Sequence, residues 1–137
     1  MAKDKYHQLV KTALVNEGWQ VTDDPLIVSA GSRKVQVDLG AERLITAERD
    51  REKIAVEVKS FVGLSALHDL YTALGQFNVY QYALEKEMPE RELFLAVPSD
   101  TYNDFLKEEF MQELLDRHRV KLIIYHIERG TIDQWIR

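Results

Sequence analysis

Two stretches of this sequence place charged side chains inside otherwise apolar runs. Asp38 lies within VQVDLG, and Glu57 and Lys59 lie within IAVEVK. The β-branched residues around them predict two strands, joined by a charged link from Glu48 to Lys53. Because side chains at i and i+2 of a strand point to the same face, we expect Glu57 and Lys59 to project together.

A hairpin of these two strands would bring Asp38 beside Glu57. Two carboxylates would then share a small space with the ammonium group of Lys59. Carboxylate oxygens are the ligands that Mg²⁺ prefers, usually one or two of them together with waters and a phosphate. The pair therefore predicts a divalent-cation site. The alternative is a structural ion-pair cluster, which would be costly to bury without further hydrogen bonds.

The first of these strands is predicted to run from Val35 to about Glu48. Gly40 lies inside it and indicates a bulge or a bend, a feature that often re-aims side chains next to active sites. Glu42 is on the same nominal face as Asp38, so it is a reserve metal ligand. Earlier in the chain, Asp23 and Asp24 precede a proline, and we interpret them as turn formers with solvated charge.

A helix is predicted over residues 4–18, because apolar residues recur there at helical spacing. Asp4 is the expected cap at its start and Gly18 the expected end. His7 lies at the edge of the apolar stripe. It is either a partly exposed helix histidine or a side chain that faces the site.

A longer helix is predicted over residues 65–87, with Ser65 as its cap. Gln76 and Tyr80 lie one turn apart on one face, beside alanines that permit close packing against a sheet. The main apolar stripe on another face is predicted to comprise Leu67, Leu70, Leu74, Phe77 and Leu84.

A short strand is predicted at Leu26–Ser29. The rest of the pattern predicts a strand at 92–97, a helix at 102–119, a strand at 120–127 and a last strand in TIDQWI. The buried side of the 102–119 helix is predicted to comprise Phe105, Leu106, Phe110, Leu114 and Leu115. The predicted order is helix, three strands, helix, strand, helix, two strands. This order is typical of a mixed α/β fold, in which helices flank a central mixed β-sheet. At 137 residues, we expect one domain over residues 1–137.

The composition limits the function classes. With 45% hydrophobic and 30% charged residues, the chain is typical of a globular protein. It has no cysteine, which excludes a disulfide framework, a thiolate zinc site and a cysteine nucleophile. The start lacks the apolar core of a signal peptide and no run approaches the ~20 apolar residues of a membrane helix, so we expect a cytoplasmic protein. A net charge of −5 means that any DNA contact needs a local basic patch or a metal.

Asp38, followed by Glu57-Val58-Lys59 nineteen residues later, resembles the motif of the PD-(D/E)xK nuclease superfamily. The predicted order of elements is similar to the restriction-endonuclease-like core of that superfamily. Gln76 and Tyr80 resemble the Q-x-x-x-Y motif that follows the lysine strand in RecB-like members. The stretches TDDPL, VDLGAE, IAVEVKSF and ALGQF resemble one narrower family over nearly the whole chain, the XisH-type fdxN element excision controlling factors of cyanobacteria.

The chain departs from the superfamily pattern at two positions. Val37 stands where the motif has its proline. The first helix, which ends in Gly18-Trp19, is similar to that of Holliday-junction resolvases, and His7 takes the place of their helix glutamate. We therefore expect the ring of His7 to lie near the carboxylates. A histidine adds no negative charge to the binding of a metal.

The resemblance implies a set of roles. Asp38 and Glu57 would hold Mg²⁺ or Mn²⁺, and Lys59 would orient the attacking water or stabilise the transition state next to the phosphate. Gln76 would position the site, and Tyr80, like Lys59, would contact the nucleic acid. His7 and Glu42 are accessory candidates.

The implied function is metal-dependent phosphodiester hydrolysis of DNA, linked to excision of a DNA element. The alternative is an accessory factor that controls site-specific recombination without cutting, as a scaffold that binds DNA or a partner. The implied partners are DNA, an XisI-type companion protein and a second copy of the chain, since a homodimer would help to span both strands of a duplex.

Overall fold

The computed structural model describes residues 4–44 and 51–137. The helices are α1 (His7–Asn16), α2 (Ala66–Glu87), α3 (Ser99–Thr101) and α4 (Glu109–Arg117), with a π-helical turn at Tyr102–Leu106. The strands are β1 (Gln20–Asp23), β2 (Leu26–Ala30), β3 (Arg33–Val37), β4 (Leu39–Leu44), β5 (Arg51–Val58), β6 (Arg91–Pro98), β7 (Leu122–His126) and β8 (Thr131–Ile136). The first half of the predicted charged link lies outside the described residues, and its last three residues open β5.

The main sheet has six strands in the order β1-β4-β5-β6-β7-β8. The three central strands, β5 to β7, are parallel, and the outer pairs are antiparallel. β2 and β3 form a separate antiparallel hairpin that packs against α2. The predicted fold class is confirmed: helices flank a central mixed sheet. Across the described ranges, no helix is long and apolar enough to cross a membrane.

Each face of the main sheet carries its own apolar cluster. Ala55 of β5 packs into the cluster beneath α2 and the hairpin, whereas Val56 and Val58 pack into the cluster beneath α1. Glu57 has the same parity along β5 as Ala55, so it belongs to the α2 face. Because β5 and β6 are buried on both faces, their sequences read as nearly continuous apolar runs.

The single strand predicted from Val35 to about Glu48 is wrong, because the structure has two strands in different sheets. β3 ends at Val37 and pairs with β2, and β4 begins at Leu39 and pairs with β1 and β5. The break falls at Asp38 and not at Gly40. Val37 packs into the cluster beneath α2 and Leu39 into the cluster beneath α1, so the chain passes from one layer to the other at the acid between them. β1, an edge strand, was missed in the sequence.

The predicted helix caps differ in outcome. Asp4 does not cap α1, because its carboxylate accepts hydrogen bonds from the backbone N–H groups of Tyr6 and Ser60, at 3.0 and 2.9 Å. α1 therefore begins only at His7. Ser65 caps α2 as predicted, since its Oγ accepts from the backbone N–H of His68.

The predicted apolar faces of two helices are each wrong at one residue. On α2, Leu70, Phe77 and Leu84 are buried as predicted, whereas Leu67 is 42% exposed and Tyr80 is also buried. The helix predicted over 102–119 is interrupted after the π-helical turn. Leu106 and Leu115 are buried as predicted, but this interruption leaves Phe110 exposed and buries Met111 instead.

The buried face of α2 yields a matched pair of substitutions. Leu70→Ala should lower the free energy of unfolding by ~2–5 kcal/mol, because Leu70 is 1% exposed and its removal leaves a cavity. Leu67→Ala, one turn earlier, should lower it by less than about 1 kcal/mol. Urea unfolding followed by circular dichroism measures both values. Equal losses would contradict the observed face.

Candidate functional site

A pocket of about 230 Å³ opens where β3 passes into β4, beside the end of β5 and between α1 and α2. The structure brings six of the residues singled out in the sequence to its wall: His7, Asp38, Glu57, Lys59, Gln76 and Tyr80. Three acidic or amide residues that had no predicted role in the site also line it: Asp4, Asp24 and Gln36.

Asp38 and Glu57 hold each other in place through the backbone. The N–H of Asp38 donates to Oε1 of Glu57 at 3.3 Å, and the N–H of Val58 donates to Oδ2 of Asp38 at 2.7 Å. Asp38 precedes Leu39, which pairs with Val56 across the antiparallel β4–β5 ladder. Each carboxylate therefore accepts from the opposite segment, and both are fixed at one end of the sheet.

Glu57 is buried with too little compensating positive charge. Its residue exposure is 5%, and Nζ of Lys59 is 3.6 Å from its Oε2. Burial, reinforced by the negative charge of Asp38, raises the pKa of Glu57 to about 8, against the opposing effect of Lys59. A cation bound between the two carboxylates would favour the ionised form.

Lys59 is held by its backbone immediately after β5. Its N–H donates to the carbonyl of Ala96 at 2.9 Å, and its own carbonyl accepts from the hydroxyl of Tyr125 at 2.9 Å. Burial raises the pKa of Tyr125, so this phenol remains a donor. The side chain of Lys59 is left to point to Glu57 and the pocket.

α2 contributes Gln76 and Tyr80, which lie one turn apart. Oε1 of Gln76 is buried and has no hydrogen-bond partner among the residues that the structure describes. Burial, followed by the charges of Glu57 and Asp38, raises the pKa of Tyr80 to about 12. The phenol of Tyr80 therefore remains protonated at neutral pH and can donate a hydrogen bond into the pocket.

His7 is buried, with 3% exposure, so its interpretation as a partly exposed helix residue is wrong. Its Nε2 is 2.7 Å from Oδ1 of Asp24, and its Nδ1 is 3.9 Å from Oδ1 of Asp38. Oδ2 of Asp24 accepts from Nζ of Lys11 at 2.7 Å.

Asp24 lies in the bend between β1 and β2 as predicted, but the interpretation of its charge as solvated is wrong. His7 and Lys11 are four residues apart on one helix, and this spacing presents two nitrogen donors on one face. It is the sequence signal that could have indicated an acidic partner for both.

Glu42 lies away from the pocket. It pairs with Lys53 across the β4–β5 ladder, and its carboxylate is 3.6 Å from a guanidinium nitrogen of Arg51. It lies four positions along the chain from Asp38, a distance of roughly 13 Å. Its prediction as a reserve metal ligand is wrong, because the face it shares with Asp38 runs away from the site.

The donor set of the pocket fits a hard cation that keeps water. In the described ranges, no three histidine, aspartate or glutamate side chains are grouped so that they could hold a metal ion by themselves. The pocket instead offers Asp38 and Glu57. Mg²⁺ is commonly bound by one or two carboxylates together with waters, whereas structural zinc sites need four protein ligands. The residues therefore fit Mg²⁺ or Mn²⁺.

Two curated relatives, the acetate kinase 2 proteins of two Vibrio vulnificus strains, are 28% identical to this chain over 117 residues. The match covers 75% of this chain but only 28% of each kinase, so the chain spans little more than a quarter of their length.

The solved structures give a longer match. A crystal structure of an XisH family protein from Nostoc punctiforme is 47% identical, with a TM-score of 0.88, and the match covers 98% of this chain and 100% of that one. A crystal structure of a fdxN element excision controlling factor protein from Anabaena variabilis is 45% identical, with a TM-score of 0.87, over 96% of this chain and 98% of that one. The XisH protein family matches residues 1–133. This chain belongs to the XisH family.

Proposed function

We propose that this protein is a metal-dependent DNA phosphodiesterase of the PD-(D/E)xK type that acts in the excision of a DNA element. The observation that carries the proposal is the buried Glu57, held beside Asp38 with one lysine nearby. Two adjacent carboxylates in a pocket are costly unless a cation joins them. The name of the Anabaena variabilis relative, a fdxN element excision controlling factor, supports the setting.

Asp38 and Glu57 are the residues that would hold Mg²⁺ or Mn²⁺. When bound, such an ion polarises the scissile phosphate and lowers the pKa of a coordinated water. The backbone N–H groups of Asp38 and Val58 each occupy one carboxylate oxygen. These two bonds fix both side chains before any ligand arrives, so binding requires little rearrangement.

Lys59 acts on the phosphate in this proposal. Its backbone is fixed at both the N–H and the carbonyl, and its side chain is partly exposed at the pocket. An ammonium group held here stabilises the negative charge that develops on the phosphate oxygens in the transition state. It also balances part of the charge of Glu57.

Gln76 and Tyr80 orient the substrate. The phenol of Tyr80 donates to a phosphate oxygen of the nucleic acid, since its raised pKa keeps it protonated. The unpartnered Oε1 of Gln76 accepts from a group that enters the pocket, and so positions it.

The proposed partners are DNA, an XisI-type companion protein and a second copy of the chain, in a cytoplasmic setting. The net charge of −5 gives no general attraction for DNA. The cation and Lys59 therefore supply the local positive charge, and a companion or a second copy would add surface contacts.

The second candidate function is a non-cutting accessory factor that controls recombination. Two observations favour it: the acidic balance of the chain, and His7 at a position where an acid would add negative charge for a metal. Under this alternative the carboxylate pair is a structural cluster, and DNA or a partner protein binds elsewhere.

The buried glutamate predicts an unusual pH dependence of stability in metal-free protein. Because the folded-state pKa of Glu57 is raised from 4.5 to about 8, the native state keeps a proton that the unfolded chain loses in this interval. The free energy of unfolding should therefore fall as pH rises through it, by up to about 1.4 kcal/mol per pH unit from this group. Denaturant unfolding at several pH values should show a flatter profile for Glu57→Gln.

The control for this profile is Glu52→Gln on the same strand. Burial opposes ionisation of Glu52, but hydrogen bonds from Arg137 and Arg43 outweigh it and lower its pKa. Glu52→Gln should have a lower free energy of unfolding at neutral pH. Its free energy of unfolding should still fall as pH rises, as it does in the wild type. Identical profiles for the wild type and Glu57→Gln would contradict the burial of an uncompensated acid.

Metal binding itself is measured by isothermal titration calorimetry with Mg²⁺ and Mn²⁺. The wild type should bind one ion, and Glu57→Gln should weaken binding at least tenfold, because one of two carboxylate ligands is lost. Glu52→Gln, which changes an acid remote from the pocket, should bind as the wild type does. Equal affinities of Glu57→Gln and the wild type would count against the site.

Cleavage is tested with Lys59→Ala. Loss of this ammonium group should lower metal-dependent cleavage of branched or duplex DNA by about a hundredfold or more, the scale of removing one transition-state stabiliser. DNA binding should fall only modestly, since one phosphate contact is lost. Lys53→Ala, on the strand that precedes Lys59 but outside the pocket, should cleave like the wild type. If a well-folded wild type cuts no form of DNA, alone or with its companion, the phosphodiesterase proposal is wrong and the accessory function stands.

A further inference from the structure

His7 presents one ring nitrogen to an acid and the other to the pocket. Nε2 is 2.7 Å from Oδ1 of Asp24. Nδ1 is buried, lies 3.9 Å from Oδ1 of Asp38, and has no hydrogen-bond partner among the described residues. A distance of 3.9 Å is too long for a direct hydrogen bond.

The environment of Asp24 fixes which nitrogen carries the proton. Burial opposes ionisation of Asp24, but the hydrogen bonds from Lys11 and His7 outweigh it and lower its pKa to about 2. Asp24 is therefore a carboxylate at neutral pH and can only accept. Nε2 must be the N–H donor at 2.7 Å, and in a neutral imidazole this leaves the lone pair on Nδ1.

We propose that Asp24 is a positioning residue, which holds His7 in the Nε2–H tautomer so that Nδ1 and Asp38 together orient the water that attacks the phosphate. This inference rests on the proposed function and adds to it a residue outside the motif of Asp38, Glu57 and Lys59. In this role His7 needs no negative charge, because its Nδ1 acts as a hydrogen-bond acceptor.

The distance favours a water over direct coordination by His7. Nδ1 and Oδ1 of Asp38 are both acceptors, so a hydrogen-bond donor or a cation must lie between them. Hydrogen bonds of ~2.8 Å from one water span 3.9 Å at roughly a right angle. Ligands at ~2.1 Å from Mg²⁺ and at a right angle would be only about 3.0 Å apart. A water that donates both hydrogens to the protein keeps its lone pairs for the phosphorus.

Lys11 makes Asp24→Asn a sharp test. Nζ of Lys11 is 2.7 Å from Asp24 and can only donate. In Asp24→Asn the amide carbonyl turns to Lys11, and the amide NH₂ then faces His7. Nε2 must now accept, so the proton moves to Nδ1 and the acceptor facing Asp38 is lost. In the double variant Lys11→Met/Asp24→Asn, the carbonyl no longer accepts from Lys11 and can turn back to accept from Nε2.

The experiment records the ring ¹⁵N shifts and long-range ¹H couplings of His7 in the metal-free, full-length protein at neutral pH. We expect the Nε2–H tautomer in the wild type, the Nδ1–H tautomer in Asp24→Asn, and a return to Nε2–H in the double variant. Asp23→Asn is the control, because Asp23 pairs with Arg91 instead. A wild-type His7 in the Nδ1–H form or doubly protonated, or a tautomer unchanged in Asp24→Asn, would overturn the proposal.

Cleavage kinetics complete the test. Asp24→Asn should lower kcat by about ten- to a hundredfold, the scale of losing a group that orients a functional side chain, with Mg²⁺ affinity unchanged. The double variant should recover part of that loss. If the tautomer shifts but kcat does not change, the role in orienting water is wrong. If the wild type cuts no DNA, the proposed function fails, and the spectra alone still decide whether Asp24 fixes the tautomer.

Discussion

The site depends on the reciprocal hydrogen bonding of Asp38 with the end of β5. At Asp38 the chain leaves the hairpin layer beneath α2 and enters the main sheet, so this residue does not belong to either ladder. Its carboxylate accepts from the N–H of Val58, and its own N–H donates to Glu57. These two hydrogen bonds therefore hold the chain in place where it passes between the layers, and they also bring the two carboxylates together. Loss of either acid would disturb both the local fold and the pocket.

The electrostatics follow from that arrangement. The apolar runs that make β5 a central strand also place Glu57 in a region from which water is largely excluded. Its raised pKa is the result of this burial and of the neighbouring Asp38. At the other side of the pocket, Lys11 and His7 keep Asp24 ionised. The pocket thus combines a buried carboxyl of raised pKa with a buried histidine whose Nδ1 lies 3.9 Å from Oδ1 of Asp38.

The sequence predicted those parts of the molecule that depend on local pattern. The central strands were predicted from continuous apolar runs, and the cap of α2 from the position of Ser65. The common face of Glu57 and Lys59 was predicted from the two-residue period of a strand. It did not predict the partner of Asp24, because that contact depends on how the β2–β3 hairpin and α1 pack together. The break at Asp38 was missed for a similar reason: the apolar residues on both sides continue the strand pattern while their side chains enter different clusters.

The central claim is that Asp38 and Glu57 bind a divalent cation, and diffraction from crystals soaked in Mn²⁺ tests it most directly. Mn²⁺ scatters anomalously, so its position is seen independently of the surrounding density. The account predicts one anomalous peak within coordination distance of both carboxylates, with no direct bond to His7. A peak elsewhere, or no peak at a Mn²⁺ concentration well above the calorimetric Kd, would contradict it.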